Sequence, residues 1–507
     1  MSGNTKRYIA IDLAADCGKV VLASVTAGSV TTETVHEFPI PVIDLDGHSL
    51  WDVYAAYSEV LKGLSAIGLR KLSIESIGID SWGPGIVCVA KDGSFLGLPR
   101  FVRDVLSDAV QAKFFKRMER RELYETGGVN VLDSHVALQL FGLYREKSIA
   151  LENAKHLLFI PEVFAFLLTG KRFTEFTSLY GAGLVDRRKG KLSKDVLSAC
   201  KVRPKRFPSV VQPGTKVAKL KEGIAEVTGL GRIPVVAVAG SRIASSAAAG
   251  FSNESGSALL VSGAVSAMCM ETASPVVNDQ TFEMNFSSEV GAGGVNLLVK
   301  RIVGIDLLGR CLEAWRAAGR AYSPEDVARM AREGAPTNAQ LDPEDPTLCS
   351  VSDAPAAIAR YCSLRSMAAP VDDAATVRLI YESVAEKIGD TFVKLQSVTP
   401  SRIKALQIVG EGIPAPVPSY GDAPVPSRRD IVAPATLSSD EAGDSRVQAL
   451  CGVLDPVFCQ MVADECAVPV TVGPADAAVL GNIIIQAGLT RQALSSSFTH
   501  KTYTPGL

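Results

Sequence analysis

A chain of 507 residues, 47% of them hydrophobic and 21% charged, exceeds what one hydrophobic core usually accommodates, so two large domains of an ordinary globular protein are expected. A formal charge of −2 leaves no basic surplus for phosphate-backbone contacts, and no apolar run reaches membrane-spanning length, so neither nucleic acid nor a membrane is an expected partner. The first seven residues are polar and carry no secretory core. The ten cysteines form no CxxC pair and no metal-like spacing with the five histidines, so reduced thiols and a cytoplasmic address are expected.

Residues 8–12 form a short apolar run. The turn Ala14-Ala15-Asp16-Cys17-Gly18 and a second apolar run at 20–25 follow, which together predict a hairpin. Residues 73–80 predict another strand, and 86–90 with Lys91-Asp92-Gly93 a second hairpin. Between 104 and 169 apolar residues recur at spacings of three and four, over 136–144 and 163–168, which predicts helices; Thr169-Gly170 closes the latter. His135 and His156 fall in this helical stretch and are expected to be structural. A strand restarts at 235–239 and leads into small residues at 244–250 that predict a tightly packed helix. Residues 258–261, the turn Ser262-Gly263-Ala264-Val265 and residues 266–270 repeat the strand–turn–strand pattern of 10–25. Helices at 304–318, 376–396 and 457–466, strands at 405–409 and 468–472, and a small-residue helix at 475–487 complete the order. Residues 413–444, rich in Pro, Ala, Ser and Asp, predict a solvated loop of unusual length. The expected division is 1–240 and 241–507.

No GxxxxGK[ST], complete GxGxxG, HExxH or GxSxG occurs, so the familiar P-loop, dinucleotide, zinc-protease and serine-hydrolase readings have no anchor. What remains is a set of glycine-bearing turns after strands, recurring in order in both halves. Such turns present backbone N–H groups to phosphate oxygens.

The run Ser76-Ile77-Gly78-Ile79-Asp80-Ser81-Trp82-Gly83 resembles the GIDTWG motif of the rhamnulokinase branch of the FGGY family of carbohydrate kinases. Leu50-Trp51-Asp52 is similar to that branch's TWD and Arg103-Asp104 to its YRD. Ile160-Pro161-Glu162, Leu168-Thr169-Gly170, Glu175-Phe176-Thr177, Ile408-Val409-Gly410, Ala463-Asp464 and Gly481-Asn482 continue the match in order, from about residue 8 to the C-terminus. The resemblance implies an α/β protein with two actin/hexokinase-like (ribonuclease H-like) lobes, the first lobe on the sugar side, the second on the nucleotide side, and the ligand cleft between them. It implies ATP and Mg²⁺ as cofactors, with nothing covalently bound, and a carboxylate that takes a proton from the sugar hydroxyl as it attacks the γ-phosphoryl group. Carried over by position, Asp12 faces the metal through the phosphates. Trp51, Trp82, Gly83, Arg103, Asp104, Arg242 and Arg301 fall at sugar-side positions. Ala15, Asp16, Cys17, Gly18, Lys19, Ser262, Gly263, Ala264, Gly309, Gly410 and Gly412 fall at nucleotide-side positions.

The departures from the family pattern gather at those positions. The family's base stands in a small-residue motif, SHDTASA, matched here by Ser241-Arg242-Ile243-Ala244-Ser245-Ser246-Ala247, so Ile243 takes the place of the aspartate and Arg242 that of the histidine. Isoleucine has no lone pair, and general-base assistance is typically worth ~10²–10⁴-fold in rate. Ala14 replaces a phosphate-turn glycine, Asp16 a hydroxyl residue, Ala264 the threonine assigned to ATP, Arg301 an asparagine and Gly309 a glutamine. Residues of the scaffold type, Trp51, Gly78, Trp82, Gly170 and Gly481, stay recognisable. Two readings follow. One is a sugar kinase whose activity is weak or lost, with Asp80 as the retained carboxylate that could substitute as base. The other is a pseudokinase that binds a sugar, sugar acid or sugar phosphate as a sensor or regulator, with Arg242 suited to an anionic group. Docking of a protein partner through the 413–444 insertion ranks last. A symmetric homodimer is the commonest arrangement for a soluble oligomer.

Overall fold

In a computed structural model the chain is described at residues 5–14, 17–26, 29–81, 83, 85–100, 108–132, 135–250, 256–263, 265–349, 353–410, 455–494 and 501–506. It forms two compact units that interleave along the sequence: Met1–Asn253 with Cys269–Lys300 and Ala477–Thr499, and Glu254–Met268 with Arg301–Asp476 and His500–Leu507. The helix that carries Arg242 and Ile243, and the small-residue helix near the C-terminus, both belong to the first unit.

The first unit is built on a six-stranded sheet, in the order Lys216–Lys219, Pro234–Val236, Ser76–Ser81, Lys6–Leu13, Cys17–Thr26, Ser29–Pro39. The strands at Pro234, Ser76 and Lys6 run parallel, and the last two add antiparallel by hairpin connections. Side chains alternate across a strand. Thus Ile9, Ile11 and Leu13 share a core with Val53, Val60, Leu64 and Ile67 of the Val53–Leu69 helix, while Tyr8 and Ala10 share one with Leu480, Ile483 and Ile484 of the Ala477–Ala487 helix. Cover on both faces explains why the strand reads as an unbroken apolar run. It also fixes the side on which Asp12 falls, that of the C-terminal helix.

That helix lies against Arg242–Gly250 at very short range. A Cβ on Gly481 would stand 1.7 Å from the Ser245 carbonyl oxygen, so the two backbones meet with nothing between them. The run of alanines and serines that predicts a tightly packed helix has this contact as its cause.

One expectation from the sequence fails in the first unit and another holds only in part. Residues 86–90 close a short local hairpin over Lys91-Asp92-Gly93, with Ala90 N donating to the Ser94 carbonyl, Leu96 N to the Cys88 carbonyl and a bridge from Val89 to Phe95. The longer pairing of the Ile86–Val89 strand is antiparallel with His156–Phe159. His156 therefore begins a strand instead of lying in a helix. Buried Val87, Leu157 and Phe159 give both segments an interior face that a solvated hairpin would leave open.

The second unit holds three parallel strands, Ser257–Ser262, Ala405–Gly410 and Val470–Val472, with Lys501–Tyr503 antiparallel at the edge. The 25-residue helix Asp373–Ser397 packs on Pro456–Cys466, with the Tyr381 and Phe458 rings 5.2 Å apart. The insertion at 413–444 lies outside the described residues. Among the described residues no helix is long and apolar enough to cross a membrane.

Candidate functional site

In the first unit the parallel strands Ser76–Ser81 and Lys6–Leu13 end side by side with Asp80 opposite Asp12. Ser81 forms a parallel bridge to Ser241, which brings the start of the Arg242–Gly250 helix to the same place. The carboxyl ends of parallel strands are where open α/β sheets receive ligands. Register continues the row onto the antiparallel strands, Asp12 opposite Lys19 and Lys19 opposite Glu37. Asp80, Asp12, Lys19 and Glu37 thus form one charged file across four strands.

Two neighbouring carboxyls cannot both ionise cheaply. Arg242 lies 2.9 Å from Asp12, Nε to Oδ1, with Asp12 buried and the Arg242 side chain 23% exposed. Asp80, by contrast, has no exposed surface and accepts a hydrogen bond from Asn482 Nδ2 at 2.7 Å. Burial, and then the Asp12 charge beside it, pushes its carboxyl well above the usual carboxylate range; the Asn482 bond and Arg242 pull the other way without cancelling the shift. The arrangement is one carboxyl paired with a guanidinium and, beside it, one carboxyl held towards its neutral form.

Asn482 is fixed in turn. Gln486 Nε2 donates to Asn482 Oδ1 at 2.7 Å and lies 3.0 Å from the Ile9 carbonyl, and Ser76 Oγ donates to Gln486 Oε1 at 2.7 Å. A polar chain so runs from Ser76 through Gln486 and Asn482 to Asp80.

The loop that precedes the Arg242 helix is fastened by Glu175. Its Oε2 accepts from Gly240 N, Ser178 N and Thr177 Oγ1, and its Oε1 from Thr177 N. Glu175 itself is located by Glu162, whose Oε1 accepts from Glu175 N at 2.6 Å while Oε2 accepts from Phe159 N. Burial raises both carboxyls, Glu162 well above its ordinary value, against the pull of these N–H donors. Ser241 Oγ then accepts from Ala244 N and opens the helix, leaving Ile243 half-buried in its first turn.

The structure thus brings Asp12, Asp80, Arg242 and Ile243 together. Cys17, Gly18 and Lys19 begin the strand opposite Asp12. Cys17 is buried, and a Cβ on Gly18 would stand 2.3 Å from the Phe38 ring, so that glycine makes room for an aromatic neighbour. Trp51 ends the strand His48–Trp51 and is 2% exposed within the core that holds Val53 and Phe164. Gly83 is half-buried just beyond the Ser76–Ser81 strand. In the second unit Ser262 and Gly410 are register partners at the carboxyl ends of their parallel strands, with Gly263 next to them; Gly309 lies in the first turn of the Asp306–Ala317 helix and Arg301 on Asn296–Val303. Ala15, Asp16, Trp82, Arg103, Asp104, Ala264 and Gly412 lie outside the described residues. Sequence reasoning gives Asn482, Gln486 and Glu175 no site role. Asn482 and Glu175 stand in matched motifs, but a motif does not say which carboxyl or loop each one holds.

The chain is similar to known carbohydrate kinases. The model of the N-terminal domain of the FGGY family of carbohydrate kinases matches residues 7–248. A rhamnulokinase from Bacteroides thetaiotaomicron is 32% identical over 99% of this chain and 96% of its own length. One from Pectobacterium carotovorum is 28% identical over 99% and 93%. Among solved structures, a gluconate kinase from Lactobacillus acidophilus superposes with TM-score 0.70 at 15% identity, over 99% of this chain and 94% of that one. A Plasmodium falciparum glycerol kinase with ADP does so with TM-score 0.67 at 12% identity, over 96% and 90%. The fold is the actin/hexokinase-like α/β fold, and the chain belongs to the FGGY family of carbohydrate kinases, with a rhamnulokinase-like sequence.

Proposed function

We propose that this chain keeps the sugar-kinase scaffold while its transfer of phosphoryl from ATP to a sugar hydroxyl is weak or lost. Its working role is then to bind a sugar, sugar acid or sugar phosphate. The observation that carries this reading is the first turn of the Arg242–Gly250 helix, where the aligned base position is an isoleucine and the residue before it is ion-paired with Asp12. Loss of the base alone accounts for ~10²–10⁴-fold in rate. Asp80 does not replace it: it has no exposed surface, and its carboxyl is engaged by Asn482. A base must come within hydrogen-bond reach of the proton it removes, and a sealed carboxyl does not.

Membership in the family implies ATP and a divalent cation. The residues beside Asp12 do not fit that cation. Asp12 already has a guanidinium at 2.9 Å, which offsets the attraction its charge would offer a divalent ion. Cytoplasmic residence and self-association into a dimer complete the proposal.

The test is ADP release with Mg²⁺ and a panel of ketoses, polyols and sugar acids, run on the natural chain and on Ile243→Asp. The expected result is silence from the natural chain and measurable turnover from the variant. Sugar-dependent ADP release by the natural chain at rates ordinary for a kinase, about 1–100 per second, would sink the proposal.

A further inference from the structure

We infer that the second unit carries a binding site for an organic amine with a compact apolar body. The site is the cavity where the Pro324–Glu333 and Pro456–Cys466 helices begin beside the end of the Val470–Val472 strand and the start of Lys501–Tyr503. It stands whether or not the chain transfers phosphoryl groups. The cavity has a volume of about 300 Å³, and every residue that lines it is described and belongs to this unit. That is space for a small organic molecule, far more than one water needs. Val472 pairs with Lys501 and Val470 with Tyr503, so one side is closed by sheet. Pro324, Ala328, Val472 and the Tyr503 ring supply the apolar wall.

The charged groups of the cavity favour a cation. Glu325 and Asp455 set two carboxyls against one ammonium, that of Lys501, which already stands 4.9 Å from the centre of the Tyr503 ring. Asp455 is 1% exposed; its Oδ1 accepts from Val457 N at 2.8 Å and its Oδ2 lies 3.4 Å from the Tyr381 hydroxyl. A carboxylate has about four lone-pair sites, so these contacts and the Phe458 N–H leave acceptor capacity unused. Burial pushes this carboxyl up, against the pull of Val457 N, Arg332 and Tyr381, and a cation brought into the cavity would favour the ionised form. An anion finds much less. Both helices open on a proline, which has no N–H, while Asp326 N donates to Ser323 Oγ and Val457 N to Asp455. The helix starts that usually receive anions are here occupied by their own caps. An ammonium can instead meet Asp455 and the exposed Glu325 while its apolar body lies against Pro324, Val472 and Tyr503.

The experiment is isothermal titration calorimetry of the full chain with three probes of one shape and different charge: 2-phenylethylamine, 2-phenylethanol and phenylacetate. The amine is expected to bind with a Kd of about 1 mM or tighter, and the alcohol and the carboxylate about tenfold more weakly or worse. Asp455→Asn keeps a side chain that caps a helix and removes the charge, so it is expected to lose about tenfold for the amine and to leave the alcohol within about threefold. Glu325→Gln, at an exposed position, repeats the charge test without touching that cap and is expected to cost the amine about threefold. Ala328→Phe fills the cavity from its wall and is expected to abolish binding of all three probes. Failure of the amine to bind below about 10 mM overturns the inference. So does phenylacetate binding as tightly as the amine, or unchanged amine affinity in Ala328→Phe or in both charge variants.

Discussion

Gly481 shows how one missing atom shapes the site. Its Cβ would stand 1.7 Å from the Ser245 carbonyl oxygen, and that oxygen belongs to a backbone with no rotamer to relieve the clash. Gly481→Ala is expected to force the Arg242–Gly250 and Ala477–Ala487 helices apart, at the upper end of the ~1–3 kcal/mol usual for overpacking or beyond it. Gly83→Ala is the control, because a Cβ there meets nothing within 4 Å. Urea unfolding of both variants would decide the point, and equal midpoints would show that the helix contact yields freely. The same residue-scale reasoning applies to Arg242. Its pairing with Asp12 offsets the charge of one of two adjacent carboxyls, while Asp80 is bonded to Asn482. Removing one partner of a buried pair is much more damaging than the pair is stabilising.

At the scale of elements, the loop at Gly240 is where several segments meet. Glu175 caps the Phe176–Gly181 helix through Thr177 and Ser178, and with the same carboxyl it holds Gly240 just before the Arg242 helix. Glu175→Gln exchanges one acceptor oxygen for an NH₂ that faces donors, so N–H groups meet N–H. A loss of about 1–3 kcal/mol is expected in chemical denaturation, with faster amide exchange at Gly240. A neutral effect on both would show that the loop is held by Ser81 and Ser241 instead. Little of this arrangement is legible along the sequence. The strands at 8–12 and 73–80 are readable from their apolar runs, but that they are parallel neighbours with Asp12 opposite Asp80 depends on strand order, which no local pattern carries. Asn482 reaches Asp80 across 402 positions of sequence. Residues 86–90 are legible only in part: the turn at Lys91-Asp92-Gly93 does close locally, but the strand's longer pairing is with His156–Phe159, which no local pattern announces. The small-residue helix at 244–250 is read correctly as tightly packed, since only a close backbone contact makes such a run of small residues useful at that spot. Ile243 is singled out in the sequence only through the resemblance, because Ser241 and Ala247 hold the motif's register around it.

For the molecule as a whole, buried titratable groups set how stability follows pH, and they act with opposite signs. Nine of the ten cysteines are described, and all nine are free thiols; burial pushes Cys88 up to about 11 and Cys311, Cys459 and Cys466 up to about 12, so they stay protonated at neutral pH. Asp80, Glu162 and Glu175 have raised values in the folded chain. Their contribution is full below the ordinary carboxylate range and is lost as pH rises through the folded values. His135 runs the other way. It is buried at the start of the Val136–Arg145 helix, its Nδ1 accepts from Ala137 N at 3.1 Å, and burial lowers it from 6.5 to about 4. The unfolded chain takes up a proton below pH 6.5 that the folded chain refuses until about 4, so this contribution is present above 6.5 and is lost as pH falls towards 4. Between pH 7 and pH 5 the lost stability from this residue is about 2 kcal/mol. The raised carboxyls partly offset it over the same range, so the natural chain alone does not isolate it. His135→Asn does, because asparagine also accepts at a helix start and carries no titrating group. The variant is expected to be the less stable protein at pH 7, where it leaves unfilled space, and to close that gap by about 2 kcal/mol at pH 5. Urea midpoints for the two chains at both pH values measure it, and a gap that stays constant would mean that His135 is protonated in the folded protein after all.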